Sequence, residues 1–172
     1  MARIGESELQ FMLMALEEAR RAAEIGETPV GAVIVQDGRV LGVGHNLVEA
    51  LGDPTAHGEI LALRKACEAQ GDWRLPRAVL YVTLEPCLMC TSALIHARIP
   101  RVVYGAPDRR WGGLGSLFDF SHDPRINRDI EVISGVMEAE AAKLLQRFYS
   151  TLRSKTPGRS GRRRDAREVE GG

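Results

Sequence analysis

Long hydrophobic runs, a disulfide framework and an overall charge are all missing from this sequence of 172 residues. The longest apolar stretches, residues 11–16 and 30–35, fall far short of the ~20 residues that span a bilayer, so a membrane protein is not expected. Cysteine occurs only at positions 67, 87 and 90, an odd number that argues against structural disulfides. Lys and Arg balance Asp and Glu at 23 each, which is typical of an ordinary soluble globular protein.

The chain is long enough for one compact domain that needs neither disulfides nor a metal in order to fold. Glu6 and Glu8 stand where a secretion signal would be positive, so we expect a cytoplasmic location. We expect the domain to cover residues 1–152. Residues 153–172 form a tail with seven basic and three acidic residues, which should be disordered and is either merely solvated or attracted to a polyanion such as RNA.

Helix and strand patterns alternate along the chain. Apolar residues at helical spacing predict an amphipathic helix from Ser7 to about Glu24, and two apolar runs around the turn dipeptide Asp37-Gly38 predict a β-hairpin. We then expect a helix from about residue 53 to 71, a strand at 78–83, a helix at 88–97, a strand at 101–105, and, after a loop, a strand at 130–133 and a closing helix from residue 137. Strands that are apolar throughout indicate a buried mixed sheet with helices on both faces.

Two short motifs carry the chemistry: His57-Gly58-Glu59 at the start of the second helix, and Pro86-Cys87-Leu88-Met89-Cys90 before the third. One imidazole and two thiolates make three good zinc ligands, and an open fourth position for water is typical of a catalytic zinc site. Helix amino termini favour the thiolate forms. A closed structural site would need a fourth protein ligand, for which the candidates are Cys67, His96, His122 and His45.

Glu59 follows His57 by two residues, a helical spacing that places the two side chains on different faces. Glu59 is therefore expected not as a ligand but as a general base, and then acid, beside an activated water. Hydrolysis is the implied reaction class. A thiol-disulfide oxidoreductase that uses Cys87 and Cys90, or a noncatalytic zinc module that binds RNA, stays open as an alternative of a different class.

The order and spacing of HxE and PCxxC match the signature of the zinc-dependent nucleobase deaminases. Longer segments resemble one branch of the cytidine and deoxycytidylate deaminase superfamily, the bacterial tRNA-specific adenosine deaminases; these segments are PVGAV from Pro29, DPTAH from Asp53, YVTLEPC from Tyr81 and GAPDRRWGGLGS from Gly105. The resemblance extends from about Ser7 to Leu152. A zinc-dependent deaminase of a free base or nucleoside, of the guanine, cytosine or cytidine type, is the nearest alternative.

The resemblance implies a cytidine-deaminase-like α/β fold, with three α/β/α layers and a central mixed five-stranded sheet. It implies one Zn²⁺ per subunit on His57, Cys87 and Cys90, with Glu59 moving the proton as adenosine becomes inosine. The implied substrate is the wobble adenosine of a tRNA anticodon, specifically the arginine tRNA with an ACG anticodon, and the implied assembly is a homodimer. The positions that match substrate-binding residues of the family are Asn46, Val30, Ala56, Asp108 and Phe148, with Tyr149 beside the last.

The sequence departs from the family pattern at four positions near these motifs. Arg110 stands where the family often has lysine, which retains a charge that pairs with phosphate. Gly58 replaces an alanine between ligand and base, which lowers helix stability by up to ~1 kcal/mol but leaves both functional side chains in place. Trp111 is a large aromatic residue where smaller ones are common, and it either stacks on RNA or packs within the protein. His45 stands in place of a frequent tryptophan beside Asn46, and the sequence does not define its role.

Overall fold

A computed structural model of the chain describes residues 5–155. Most of the basic tail predicted from residue 153 therefore lies outside the described residues. Within them, no helix is both long enough and apolar enough to cross a membrane.

A five-stranded mixed sheet forms the centre of the fold, as predicted. Its strands are β1 (Gly31–Gln36), β2 (Arg39–His45), β3 (Ala78–Leu84), β4 (Arg101–Ala106) and β5 (Glu131–Ile133), in the order β2-β1-β3-β4-β5. Strand β1 pairs antiparallel with both β2 and β3, and β4 pairs parallel with both β3 and β5. The predicted hairpin turn lies at Asp37 and Gly38, where both residues have positive φ, the conformation that a tight two-residue hairpin requires.

Helices cover both faces of the sheet and complete the three layers. The helices are α1 (Glu6–Glu24), α2 (Val48–Leu51), α3 (Gly58–Gln70), α4 (Leu88–His96) and α5 (Glu138–Lys155). The core between the sheet and α3 with α4 includes Ala62, Leu80 and Leu94, whereas the core on the α1 side includes Met12 and Val33.

Glycine allows the helices to approach the sheet closely. A Cβ built on Gly31 of β1 would lie 2.0 Å from the carbonyl oxygen of Ala15 in α1, and one on Gly42 of β2 would lie 2.3 Å from that of Ala62 in α3. Neither distance is compatible with any other residue unless the helix moves away. The first of these contacts holds the start of β1 against α1.

Three features of the fold differ most from the sequence-based expectation. The second predicted helix, α3, begins at Gly58 rather than near Asp53, because the Asp53 carboxylate accepts a hydrogen bond from the Thr55 amide at 2.8 Å and forms a turn instead. The single-turn helix α2 was not predicted, since four residues are too few to show a helical period. Helix α5 reaches Lys155, past the expected boundary at residue 152.

Candidate active site

The three predicted zinc ligands converge at the amino ends of two helices. His57 is the N-cap residue of α3, Cys87 is the N-cap residue of α4, and Cys90 lies in the first turn of α4. His57 Nδ1 is 3.6 Å from the Sγ of Cys87 and 3.5 Å from the Sγ of Cys90. Tetrahedral zinc, with bonds of ~2.3 Å to sulfur and ~2.0 Å to nitrogen, separates such atoms by ~3.6 Å, so this donor set fits one zinc ion.

No other His, Cys, Asp or Glu among residues 5–155 joins this three-ligand cluster. The candidates for a fourth protein ligand are occupied elsewhere or exposed. The Cys67 thiol contacts the Trp73 carbonyl oxygen at 3.6 Å, His122 pairs with Asp129 at 3.7 Å, and His96 is exposed at the end of α4. The described geometry therefore favours a site with an open position over a closed structural site.

Protons are distributed unequally over the three ligand side chains. The pKa of Cys87 is lowered to about 4 by its hydrogen bond with Cys90 and further by that with His57. The bond to Cys87, together with burial, raises the pKa of Cys90, and the bond to Cys87 also raises the pKa of His57. The lowered pKa favours the thiolate form of Cys87, the form in which cysteine binds metals.

Glu59 lies in the first turn of α3 beside this cluster. Its side chain is buried, and its Oε2 atom has no hydrogen-bond partner among the described residues. Burial raises the pKa of Glu59 to about 7, since removal from water disfavours the charged carboxylate. A carboxyl group with a pKa near neutrality exchanges protons readily in both directions, as a general acid and base must.

A cavity of about 950 Å³ opens above His57, Cys87 and Glu59. This volume falls within the range of small-molecule and cofactor sites, and more of the exposed wall is apolar than polar. The zinc-ligand cluster therefore lies at a cleft whose volume is sufficient for a nucleotide.

Four of the five predicted substrate contacts line this cavity: Val30, Asn46, Asp108 and Phe148. Ala56 does not line it, because the residue is fully buried in the turn before α3. Asp108 uses its Oδ1 atom to accept the backbone N–H of Arg110 at 2.9 Å, and its other carboxylate oxygen remains available.

The structure shows the surroundings of His45 and Trp111, two positions that depart from the family pattern. His45 does not line the cavity, and its Nδ1 atom lies 2.7 Å from Glu18 Oε2, which joins β2 to α1. Trp111 does line the cavity, and 62% of its surface is exposed, so within the described chain it does not pack into the core.

Two further buried carboxylates at the cavity were missed by sequence reasoning. Glu85 is 1% exposed, and it accepts hydrogen bonds from the backbone amides of Asp108, Leu114 and Ser116 and from the Ser116 hydroxyl. Glu27 is 2% exposed and accepts the side-chain amide of Asn46. Glu85 lies in the TLEPC segment, and Glu27 lies two residues before Pro29. Neither glutamate stands at a spacing from His57, Cys87 or Cys90 that is typical of a metal ligand or a catalytic residue.

Comparison with known proteins shows which family the chain matches. Residues 6–106 match the cytidine and deoxycytidylate deaminase zinc-binding region. The tRNA-specific adenosine deaminase of Bacillus subtilis (strain 168) is 44% identical over 145 residues, which cover 84% of this chain and 90% of the relative. The corresponding enzyme of Agrobacterium fabrum is 48% identical over 143 residues, which cover 83% of this chain and 94% of the relative.

A solved structure from biochemical and structural studies of A-to-I editing by tRNA:A34 deaminases at the wobble position of transfer RNA superposes with a TM-score of 0.76. It is 49% identical, and the match covers 79% of this chain and 99% of that chain. The zinc-ligand cluster, the buried glutamate and these matches together show that the chain belongs to the tRNA-specific adenosine deaminases, hydrolytic enzymes of the zinc-binding cytidine and deoxycytidylate deaminase family.

Proposed function

We propose that this protein converts adenosine to inosine at the wobble position of a tRNA anticodon, with the ACG anticodon of arginine tRNA as its preferred substrate. The observation that carries the proposal is the buried carboxyl group of Glu59, whose Oε2 has no partner among the described residues, beside a His57, Cys87 and Cys90 cluster at a nucleotide-sized cavity. The relatives named for tRNA adenosine deamination, at 44% and 48% identity over most of the chain, support the choice of tRNA as substrate.

Metal binding and proton transfer are assigned to different side chains. His57 Nδ1 and the thiolates of Cys87 and Cys90 would hold zinc, which supplies an activated water near neutral pH. Glu59 accepts a proton at Oε2 from the attacking water and returns a proton to the departing amino group, so that adenosine and water give inosine and ammonia. Burial of Glu59 keeps bulk water away from its carboxyl group and holds its pKa in the range needed for both transfers.

Recognition of the RNA falls to the side chains around the cavity. An anticodon loop presents bases that are already unstacked, which lowers the free energy needed to bring the target base into a pocket. Phe148 and Trp111 line the cavity and offer aromatic surfaces on which unpaired bases stack. Asn46 offers hydrogen bonds deeper in the cavity.

We further propose that the enzyme acts as a homodimer. Large apolar side chains, including Leu117 at 47% and Phe118 at 47%, are exposed on the described chain, and a second copy would cover such a surface. Light scattering after size-exclusion chromatography tests this: a mass of about twice 18.9 kDa supports the proposal, and a monomer at micromolar concentration contradicts it.

The catalytic proposal is tested with an arginine tRNA transcript that carries the ACG anticodon. Reverse transcription scores inosine at the wobble position, with Glu59→Ala protein, a transcript with adenosine moved from the wobble position, and free adenosine alongside. We expect conversion only at the wobble adenosine, lost with Glu59→Ala although that variant retains zinc. Wild-type protein that contains one zinc per chain and deaminates free guanine, cytosine or cytidine but not the transcript would refute the tRNA substrate.

A further inference from the structure

Glu27 is a buried carboxylate at the edge of the cavity, in the segment between α1 and β1. Its Oε2 accepts the Nδ2–H of Asn46 at 2.9 Å, and its Oε1 accepts the backbone N–H of Ala50 in α2 at 2.7 Å. Among residues 5–155, no Lys, Arg or His lies within ion-pair distance of it. A buried carboxylate without a cation opposes folding unless N–H donors stabilise it, so core packing alone does not account for a glutamate here.

The contact with Glu27 determines how the Asn46 amide is turned. An asparagine amide has a donor end and an acceptor end, and a rotation of half a turn about its last bond exchanges them. Because a carboxylate only accepts hydrogen bonds, the NH₂ end must face Glu27. The Oδ1 end has no protein partner among the described residues and is not sealed from solvent, in a residue that lines the cavity.

The rest of Asn46 is also held in place. Its backbone N–H donates to the Val30 carbonyl oxygen at 3.1 Å, and 8% of its surface is exposed, so the main chain and most of the side chain are fixed. Rotation of the amide is the remaining freedom, and Glu27 removes it.

We propose that Glu27 is a positioning residue for deamination: it holds the Asn46 amide in one orientation and thereby defines which hydrogen-bonding groups of the target nucleoside the enzyme accepts. This inference rests on the proposed function for the identity of the substrate. A nucleoside presents donors and acceptors in a fixed order, so an amide held in one orientation matches one such order. An amide free to turn would pair with either order and would discriminate poorly.

Glutamine at position 27 separates this role from simple packing. Gln has the shape of Glu but only one acceptor oxygen, whereas Asn46 and Ala50 present two donors. If the Gln oxygen accepts the Ala50 N–H, the Gln NH₂ group faces the Asn46 NH₂ group. Two donors repel each other, so the Asn46 amide rotates by half a turn. If the Gln oxygen instead accepts the Asn46 N–H, the orientation of Asn46 is kept. The Ala50 N–H then loses its acceptor, which affects only the single-turn helix α2.

A double-mutant cycle tests the proposal with Glu27→Gln, Asn46→Ala and the double variant. Single-turnover rates on the ACG transcript are measured with enzyme in excess, so that slow variants still give a rate. We expect Glu27→Gln to lower the rate about tenfold or more when Asn46 is present, and by less than about twofold when residue 46 is alanine, because no amide is then left to orient. Glu49→Gln, which removes the same charge from the same cavity without touching Asn46, measures the effect of charge alone.

Thermal midpoints and zinc contents of all variants are measured first, and rates are compared below the lowest midpoint. Glu27→Ala is a second variant, since it removes both acceptor oxygens. Its effect on the rate should also be smaller when residue 46 is alanine than when Asn46 is present. The proposal is overturned if Glu27→Ala reacts as fast as wild type, or if Glu27→Gln and Glu27→Ala each slow both backgrounds by the same factor. Absence of inosine with wild-type protein refutes instead the proposed function, and the cycle is then measured on the free base or nucleoside that the wild type deaminates.

Discussion

Replacement of Glu85 by glutamine should loosen the loop that carries Asp108 and Trp111. The Glu85 carboxylate receives four donors: at Oε2 the Asp108 amide at 3.0 Å and the Ser116 hydroxyl, and at Oε1 the amides of Leu114 and Ser116, each at 3.0 Å. Glutamine keeps one acceptor oxygen and turns the other into a donor. Its best orientation places NH₂ toward the Ser116 hydroxyl, which can accept, and leaves the Asp108 amide without an acceptor.

The size of the effect follows from the lost hydrogen bonds. A hydrogen bond to a charged acceptor is worth about 1.5–3 kcal/mol, so the loss of one or two lowers the free energy of unfolding by roughly 2–5 kcal/mol. For a protein of this length each kcal/mol shifts the thermal midpoint by about 2–4 °C, which gives an expected fall of ~5–20 °C. The Glu85 carboxyl group fills the space that a side chain at Gly112 would occupy, since an ideal Cβ there would lie 2.4 Å from the Glu85 carboxyl carbon.

Thermal unfolding of the zinc-loaded protein, followed by circular dichroism, measures this fall. Ser116→Ala is the matched control, since it removes one hydroxyl donor from the same carboxylate and should lower the free energy of unfolding by about 1.5–3 kcal/mol, the value of a single such bond. If Glu85→Gln unfolds within about 2 °C of wild type, or is less destabilised than Ser116→Ala, the four bonds do not hold the loop and the argument is wrong.

Three further outcomes are expected. Gly31→Ala should lower the free energy of unfolding in urea by at least ~3 kcal/mol, because its Cβ would lie 2.0 Å from the Ala15 carbonyl oxygen; a smaller loss would mean that α1 moves freely. Cys90→Ala should bind far less than one zinc per chain by mass spectrometry yet keep its circular dichroism spectrum, since the core does not need a metal. Anticodon stem-loop RNA should quench the fluorescence of Trp73→Phe protein but not of Trp111→Phe protein, because only Trp111 lines the cavity.

The sequence predicted those parts of the fold and site that local chemistry determines. Asp37-Gly38 places the hairpin because few other dipeptides adopt positive φ at both positions. His57, Cys87 and Cys90 were predicted as ligands since the motif spacing sets each at a helix start, and the structure brings their donor atoms within 4.8 Å of one another. The role of Glu59 in proton transfer remains a prediction until its variant is assayed.

Contacts between distant segments could not be read from the sequence. Glu27 meets Asn46 across 19 residues, and Glu85 meets Leu114 across 29, and no spacing rule connects such pairs. Ala56 shows the opposite limit: its position in the motif suggested a pocket wall, but the turn that precedes α3 buries it completely. Sequence motifs identify which residues carry chemistry more reliably than which atoms face the substrate.

The number of N–H and O–H donors around each buried glutamate accounts for the different roles that we assign to three of them in one cavity. Glu85 has four donors, and Glu27 has two, so both side chains act as fixed acceptors that hold a loop or an amide. Glu59 is equally buried but has an unpartnered oxygen, and its pKa rises to about 7. A buried carboxyl oxygen without a donor binds a proton readily, and this is why Glu59, and neither of its neighbours, suits proton transfer.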